Sequence, residues 1–153
     1  MVHYLHREQV VSAPLDTVWK YFCDPKNLNE ITPPDMNFEI VRGGDTAMYE
    51  GQLIEYRVEF VRGVRSLWLT EIAHVRAGEY FVDEQRVGPY RFWYHEHSFE
   101  RVGGGTKMTD HVTYVAPFGL LGDVVNGVWI ANRLKHIFDY RQGKIAELFG
   151  EVK

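Results

Sequence analysis

The 153-residue chain has one cysteine, Cys23, so no disulfide can form within it. That excludes a disulfide-stapled scaffold and suits a reducing compartment such as the cytoplasm. No stretch approaches the roughly 18 apolar residues of a spanning helix. The opening Met1-Val2-His3-Tyr4-Leu5-His6-Arg7-Glu8 lacks the apolar core of a secretory leader. The expectation is a cytoplasmic protein that does not insert into membranes. Positive charge is also scarce: 17 Lys and Arg stand against 21 Asp and Glu, a net charge of −4. Such a balance lacks the electrostatic footprint of a nucleic-acid binder. There is no repeat, low-complexity tract or linker, so residues 1–153 are expected to form a single domain.

What the chain does have is rings: nine Phe, nine Tyr and four Trp. They occur within a clear succession of periods. An alternating first strand runs from about Val2 to Val11. Ser12 resembles a helix N-cap, with Pro14 and Asp16 in the first turn and Leu15, Val18, Trp19 and Phe22 at helical spacing. A second short helix is expected over about Lys26 to Ile31, ending at Pro33-Pro34. The period then becomes two. Strands are expected around Ile54–Phe60, Val64–Val75, Glu79–Arg86, Tyr90–Arg101 and Thr106–Val115. Short turns at Arg62-Gly63, Ala77-Gly78 and Gly103-Gly104-Gly105 make this an antiparallel meander.

From about Leu120 to Phe149 the spacing is helical again, with Val124, Val128, Ala131, Leu134, Phe138, Ile145 and Leu148 as the apolar stripe. A helix of that length spans ~45 Å. Gly119, Gly122 and Gly127 in its early half mark either a kink or close packing, or room for a ligand. Arg133, Lys135, Arg141 and Lys144 are expected on its solvated face. This order of elements predicts an α+β helix-grip fold: a curved antiparallel sheet wrapped around the long C-terminal helix, with two short helices after the first strand.

Alternation places Trp93, His95, His97 and Phe99 on one face of a strand and Glu96, Ser98 and Glu100 on the other. Phe81, Asp83 and Gln85 point inward from the strand before, and Met108, Asp110, Val112 and Tyr114 from the one after. The candidate ligand contacts are Tyr56, Trp68, Phe81, Asp83, Gln85, Trp93, His95, His97, Phe99, Met108, Asp110, Tyr114, Val124 and Val128. Burying an unpaired polar group costs roughly 1–3 kcal/mol, so each carboxylate is expected to pair with an imidazole, which would favour the charged ring. Such a set suits a structural hydrogen-bond network, a site that orients a ligand, or acid–base chemistry. It assigns no catalytic residue. His-x-His with an Asp could ligate a metal, but no diagnostic metal spacing is present, so neither metal nor cofactor is expected. Cys23 reads as an inert thiol and the glycine run as a hairpin turn.

With these residues set out, the chain resembles the SRPBCC superfamily, also called START-like, and within it the polyketide cyclase/dehydrase and lipid-transport branch. The resemblance rests on Trp19 to Pro34 with Asn27-Leu28 and Ile31-Thr32-Pro33-Pro34, and on Phe81-Val82-Asp83-Glu84-Gln85 with Gly88-Pro89-Tyr90. It rests also on Trp93-Tyr94-His95-Glu96-His97 and on Met108 to Tyr114 leading to Pro117-Phe118-Gly119. It implies a deep cavity holding a hydrophobic partner such as a lipid, a sterol-like molecule or an aromatic polyketide. The leading expectation is a binding or carrier protein. The alternatives are a cyclase or dehydratase using the buried Asp and His groups, and a protein-interaction module.

Overall fold

The computed structural model describes residues 1–152, apart from the side chains at positions 122 and 126. Seven strands form one sheet: β1 (His3–Val11), β2 (Glu39–Arg42), β3 (Leu53–Val61), β4 (Val64–Arg76), β5 (Tyr80–Val87), β6 (Phe92–Val102) and β7 (Gly105–Val115). Their order is β1-β7-β6-β5-β4-β3-β2, antiparallel throughout. The alternation that predicted the meander is the alternation that buries one face. Ile54, Tyr56, Val58 and Phe60 are buried along β3, and Trp93, His95, His97 and Phe99 along β6. The edge strand β2 was not expected. Its four residues are too few to show a period, and its pairing with β3 shifts register between Ile40 and Arg42.

Helix α1 (Leu15–Phe22) follows β1 and buries Val18 and Phe22. Its N-cap is Pro14, not Ser12, and no side chain caps it. The Ser12 N–H is engaged elsewhere, donating to the Gly150 carbonyl at 3.1 Å. In place of a second short α-helix there are two 3₁₀ segments, Pro25–Asn29 and Pro34–Met36. Each opens on a proline, which presets φ for the first turn and has no N–H to leave unpaired. The Asp24 carboxylate caps the first of them by accepting from the Lys26 N–H at 3.0 Å.

The C-terminal helix runs unbroken from Gly119 to Phe149 as α2 (Gly119–Val125), a π turn (Asn126–Ile130) and α3 (Ala131–Phe149). The helix-grip expectation holds. Of the expected apolar stripe only Leu134, Phe138 and Ile145, all beyond the π turn, face the interior. That turn takes in one extra residue and so rotates the preceding helix by about 100° relative to α3. Ile130, Leu134, Phe138, Arg141 and Ile145 are buried, whereas Val124 is 67% exposed, Val128 73% and Leu148 40%. Ala131 is exposed as well. A Cβ on Gly119 or Gly127 would meet nothing within 4 Å, so neither glycine serves close packing. Gly119 instead supplies a left-handed φ of +56° just after Phe118 at +70°. The role expected of Gly122 lies outside the described residues.

Lys135 and Lys144 are on the solvated face as expected. Arg133 and Arg141 are not. Arg133 lies across the helix, its Nε donating to the Phe60 carbonyl at 3.2 Å and its guanidinium paired with Asp35. Arg141 is 8% exposed and enters the interior. Its position is three residues from Phe138, seven from Leu134 and four from Ile145, which is the buried phase of α3.

Besides a small cluster of Ile54, Tyr56 and Ile72, two larger apolar clusters share the inner face of the sheet. One gathers Val58, Phe60, Tyr90, Trp93, Tyr114, Leu134 and Phe138. The other joins Val11, Val18, Phe22, Phe81, Phe99, Met108 and Ile145 beneath α1. His95 and His97 lie between Trp93 and Phe99 on β6, and so between the clusters.

Candidate functional site

A pocket of about 160 Å³ lies between the inner sheet face and α3. Tyr56, Val58 and Phe60 of β3, Trp68, Thr70 and Ile72 of β4, and Leu134, Ile137 and Phe138 of α3 line it. The segment between α1 and β2 closes one side with Leu28, Ile31, Met36 and Phe38. Phe81 and Asp83 of β5, Trp93, His95 and His97 of β6, Tyr21 and Phe22 of α1, Met48 and Arg141 also line it.

The polar groups converge because the registers align them. His95 stands opposite Asp83 on β5, and His97 opposite Asp110 on β7. The shortest contacts run diagonally. His97 Nε2 lies 2.6 Å from Asp83 Oδ2, and His95 Nε2 lies 2.9 Å from Asp110 Oδ1. The remaining nitrogens complete the square, with His95 Nδ1 3.4 Å from Asp83 Oδ2 and His97 Nδ1 3.2 Å from Asp110 Oδ1. The two imidazoles are 3.6 Å apart between centroids, and His97 stacks on Phe81 at 4.2 Å. Trp93 donates its Nε1–H to Asp83 Oδ1 at 3.2 Å. Arg141 Nη2 stands 3.2 Å from His97 Nδ1 and 3.9 Å from Asp110 Oδ1, with its guanidinium over the Phe22 ring at 5.4 Å.

Burial opposes every charge in this group, and the partners decide which charges survive. Burial alone would raise Asp110, but the Arg141 guanidinium and the bonds from both imidazoles hold it well below the carboxylate range. Asp83 is likewise pushed up by burial and pulled below its ordinary value by His95 and His97. The histidines part company. Burial and the neighbouring His97 lower His95, in spite of both carboxylates. For His97, burial is outweighed by the bonds to Asp110 and Asp83, and its pKa is raised. Of the two rings, His97 is therefore the one that keeps the extra proton as pH rises, and His95 the one that gives it up first. Arg141 donates to His97 Nδ1 only while that nitrogen carries no proton, and the two carboxylates outweigh that contact.

Asp83, His95 and His97 place one ligand atom each within 4.8 Å of one another, so they could hold a cation. A divalent ion there would displace the 2.6 Å bond between His97 and Asp83. Coordination would also strip the Nε2 proton from His97, leaving the ion's two charges and Arg141 against two carboxylates, one positive charge in excess in a buried site.

Of the expected contacts, Tyr56, Trp68, Phe81, Asp83, Trp93, His95 and His97 line the pocket. Asp110 stands behind the imidazoles, holding His95. Phe99 packs on Trp19 and Phe22 beneath α1, with Met108 in the same cluster, and Tyr114 lies in the Trp93 cluster. Gln85 is a turn staple. Its Nε2–H donates to the Tyr90 carbonyl at 2.7 Å, and its Oε1 accepts the Tyr90 N–H at 3.1 Å. Val124 and Val128 are exposed and take no part in the wall. Arg141, the 3₁₀ segment residues and further apolar residues of the wall, such as Val58, Phe60, Ile72, Leu134 and Phe138, were not among the expected contacts. Helical phase already put Arg141 among apolar neighbours, whereas the 3₁₀ segments carry no period to read. Burial pushes the Cys23 thiol up to about 11, in line with an inert role.

Among the described residues, no helix is long and apolar enough to cross a membrane. No curated protein matches this chain. Among solved structures, protein CV1439 from Chromobacterium violaceum is 15% identical with a TM-score of 0.72, over 99% of this chain and 98% of that one. The Zhui aromatase/cyclase from Streptomyces sp. R1128 is 15% identical with a TM-score of 0.68, over 99% and 100%. The ginseng major latex-like protein 151 from Panax ginseng is 12% identical with a TM-score of 0.70, over 97% of each. At these identities the likeness is one of fold. The family model for polyketide cyclase / dehydrase and lipid transport matches residues 11–135, most of the sequence, and the chain belongs to that family.

Proposed function

We propose that this chain binds a small, largely apolar molecule between the sheet and α3. The observation that carries this reading is the 160 Å³ pocket, walled by aromatic and aliphatic side chains and polar at one pole. Ligand sites combine those features, because apolar walls supply affinity and a few convergent polar groups supply orientation. Membership of a family named for cyclases, dehydrases and lipid transport supports it. The lone, unreactive Cys23 suits work in a reducing compartment such as the cytoplasm.

Native mass spectrometry of protein taken from cell extract, with a thermal-shift panel of apolar molecules, tests the reading. A ligand at a hundred times its Kd adds about 2.7 kcal/mol, which raises the Tm of a chain this size by roughly 5–10 °C. A protein that stays empty and unmoved across the panel would end the proposal.

A second reading is favoured by one contact. Neutral His95, oriented by Asp110 at 2.9 Å, has the arrangement of a general base held by a carboxylate. The Zhui aromatase/cyclase shares the fold. Turnover of a polyketide-like substrate would then fall by a factor of roughly 10² or more in His95→Ala. Equal rates in folded His95→Ala and Asp110→Asn would reject it.

A further inference from the structure

The size and charge of the pole narrow the ligand further, on the premise that the pocket is a ligand site. An apolar cavity of about 150 Å³ is large enough for benzene. The 160 Å³ available here therefore houses one ring or two fused rings, and the four of a sterol would project beyond it. Charge sets a second limit. Asp83 and Asp110 bring two negative charges, and Arg141 and the His97 imidazolium bring two positive ones. With the extra proton on His97, the pole is balanced. An entering carboxylate or ammonium would leave one uncompensated charge in a buried site, which is costly.

The hydrogen bonds add a direction. Asp110, at 2.9 Å, is nearer to His95 than Asp83, at 3.4 Å, so the neutral ring is best paired with its proton on Nε2 and a lone pair on Nδ1. That nitrogen stands 3.4 Å from Asp83 Oδ2, which leaves two acceptors side by side with no proton between them. Both residues line the pocket, and the Asp83 side chain is 19% exposed there. Arg141 is the cation on the wall, but its Nη2 faces His97 and Asp110; its Nε, which has no partner, belongs to a residue that also borders a second hollow beside Asp110.

We propose that the pocket selects a one- or two-ring aromatic molecule bearing a neutral hydroxyl, whose O–H donates to the Asp83 carboxylate beside His95 Nδ1. A hydrogen bond to a charged acceptor, absent when the hydroxyl is methylated, changes affinity by roughly tenfold or more.

Four matched probes test this by calorimetry at pH 7: 2-naphthol, naphthalene, 2-methoxynaphthalene and 2-naphthoate. The expected order is naphthol first, at least ~tenfold tighter than methoxynaphthalene, with naphthoate weakest. In Asp83→Asn the naphthol advantage should shrink to within about threefold while naphthalene binding is retained, which also shows that the variant is folded. Should that variant fail to fold, the wild-type order decides alone. Naphthoate binding as tightly as naphthol would overturn the proposal in favour of Arg141 as an anion anchor. Equal affinities for all four would overturn it too, while leaving apolar binding intact. If none of the four binds but larger members of the apolar panel do, the size limit and this proposal fail. If nothing binds from either set, the reading of the pocket itself fails.

Discussion

Arg141 is the residue on which the buried charges turn. It is the permanent cation of the group, beside Asp110, and the imidazole pair supplies a second positive charge when it holds one extra proton. Removing one partner of a buried charge group costs about 3–5 kcal/mol. Arg141→Met, which keeps much of the volume, should lose about that amount in urea unfolding. The loss should be larger at pH 8 than at pH 6, because a proton on His95 can replace the missing charge more readily at the lower pH. His97 makes its own pH signature among Asp83 on β5, His95 on β6, Asp110 on β7 and Arg141 on α3. Its pKa is raised on folding, so its contribution is present below the ordinary histidine value and is lost as pH rises through the folded value. His95 has the opposite sign: lowered on folding, it costs stability as pH falls below the ordinary value. Wild-type urea midpoints should therefore decline between pH 6 and pH 9, by at most about 1.4 kcal/mol per unit for one proton. In His97→Gln that alkaline decline should flatten; an unchanged slope would show that another group titrates there.

Between elements, the turn from β5 to β6 is held by a side chain and not by backbone alone. Gln85 uses both ends of its amide on the Tyr90 backbone. Gly88 sits so close that an added Cβ would lie 2.4 Å from Gln85 Oε1. Gln85→Ala should cost roughly 1–3 kcal/mol, because two bonds go and a buried backbone group is left to find water. Chemical denaturation measures it, and a change below 0.5 kcal/mol would count against the staple. The same segment shows how far a period can be read. Alternation with Phe81 and Asp83 puts Gln85 inward, and it does leave the solvent side, but its amide turns back to its own hairpin. Facing is a property of the strand; the destination of a long polar side chain is set by which partner it meets.

For the protein as an object in solution, the segment around α2 is the anomaly. Phe118, Leu120, Leu121, Val124 and Val128 are 67–87% exposed, and Asp123, the single charge between 117 and 132, is paired with the Met1 amino group at 3.0 Å. Exposed apolar side chains contribute little to folding, so Leu120→Lys with Val124→Lys should leave stability within about 0.5 kcal/mol per site. Retention on a hydrophobic-interaction column should fall markedly. A large drop in Tm would show instead that these residues are packed.

The strand facing, the meander, the long helix and the facing of the Asp and His side chains were all legible in the sequence. Each depends on a period of two or 3.6 imposed by local backbone geometry. The diagonal pairing of carboxylates and imidazoles, the division of charge between His95 and His97, the entry of Arg141 and the outward turn of Val124 and Val128 were not. They depend on the register between strands far apart in the chain and on the helical phase either side of a π turn. Those are relations between elements, and no local pattern carries them.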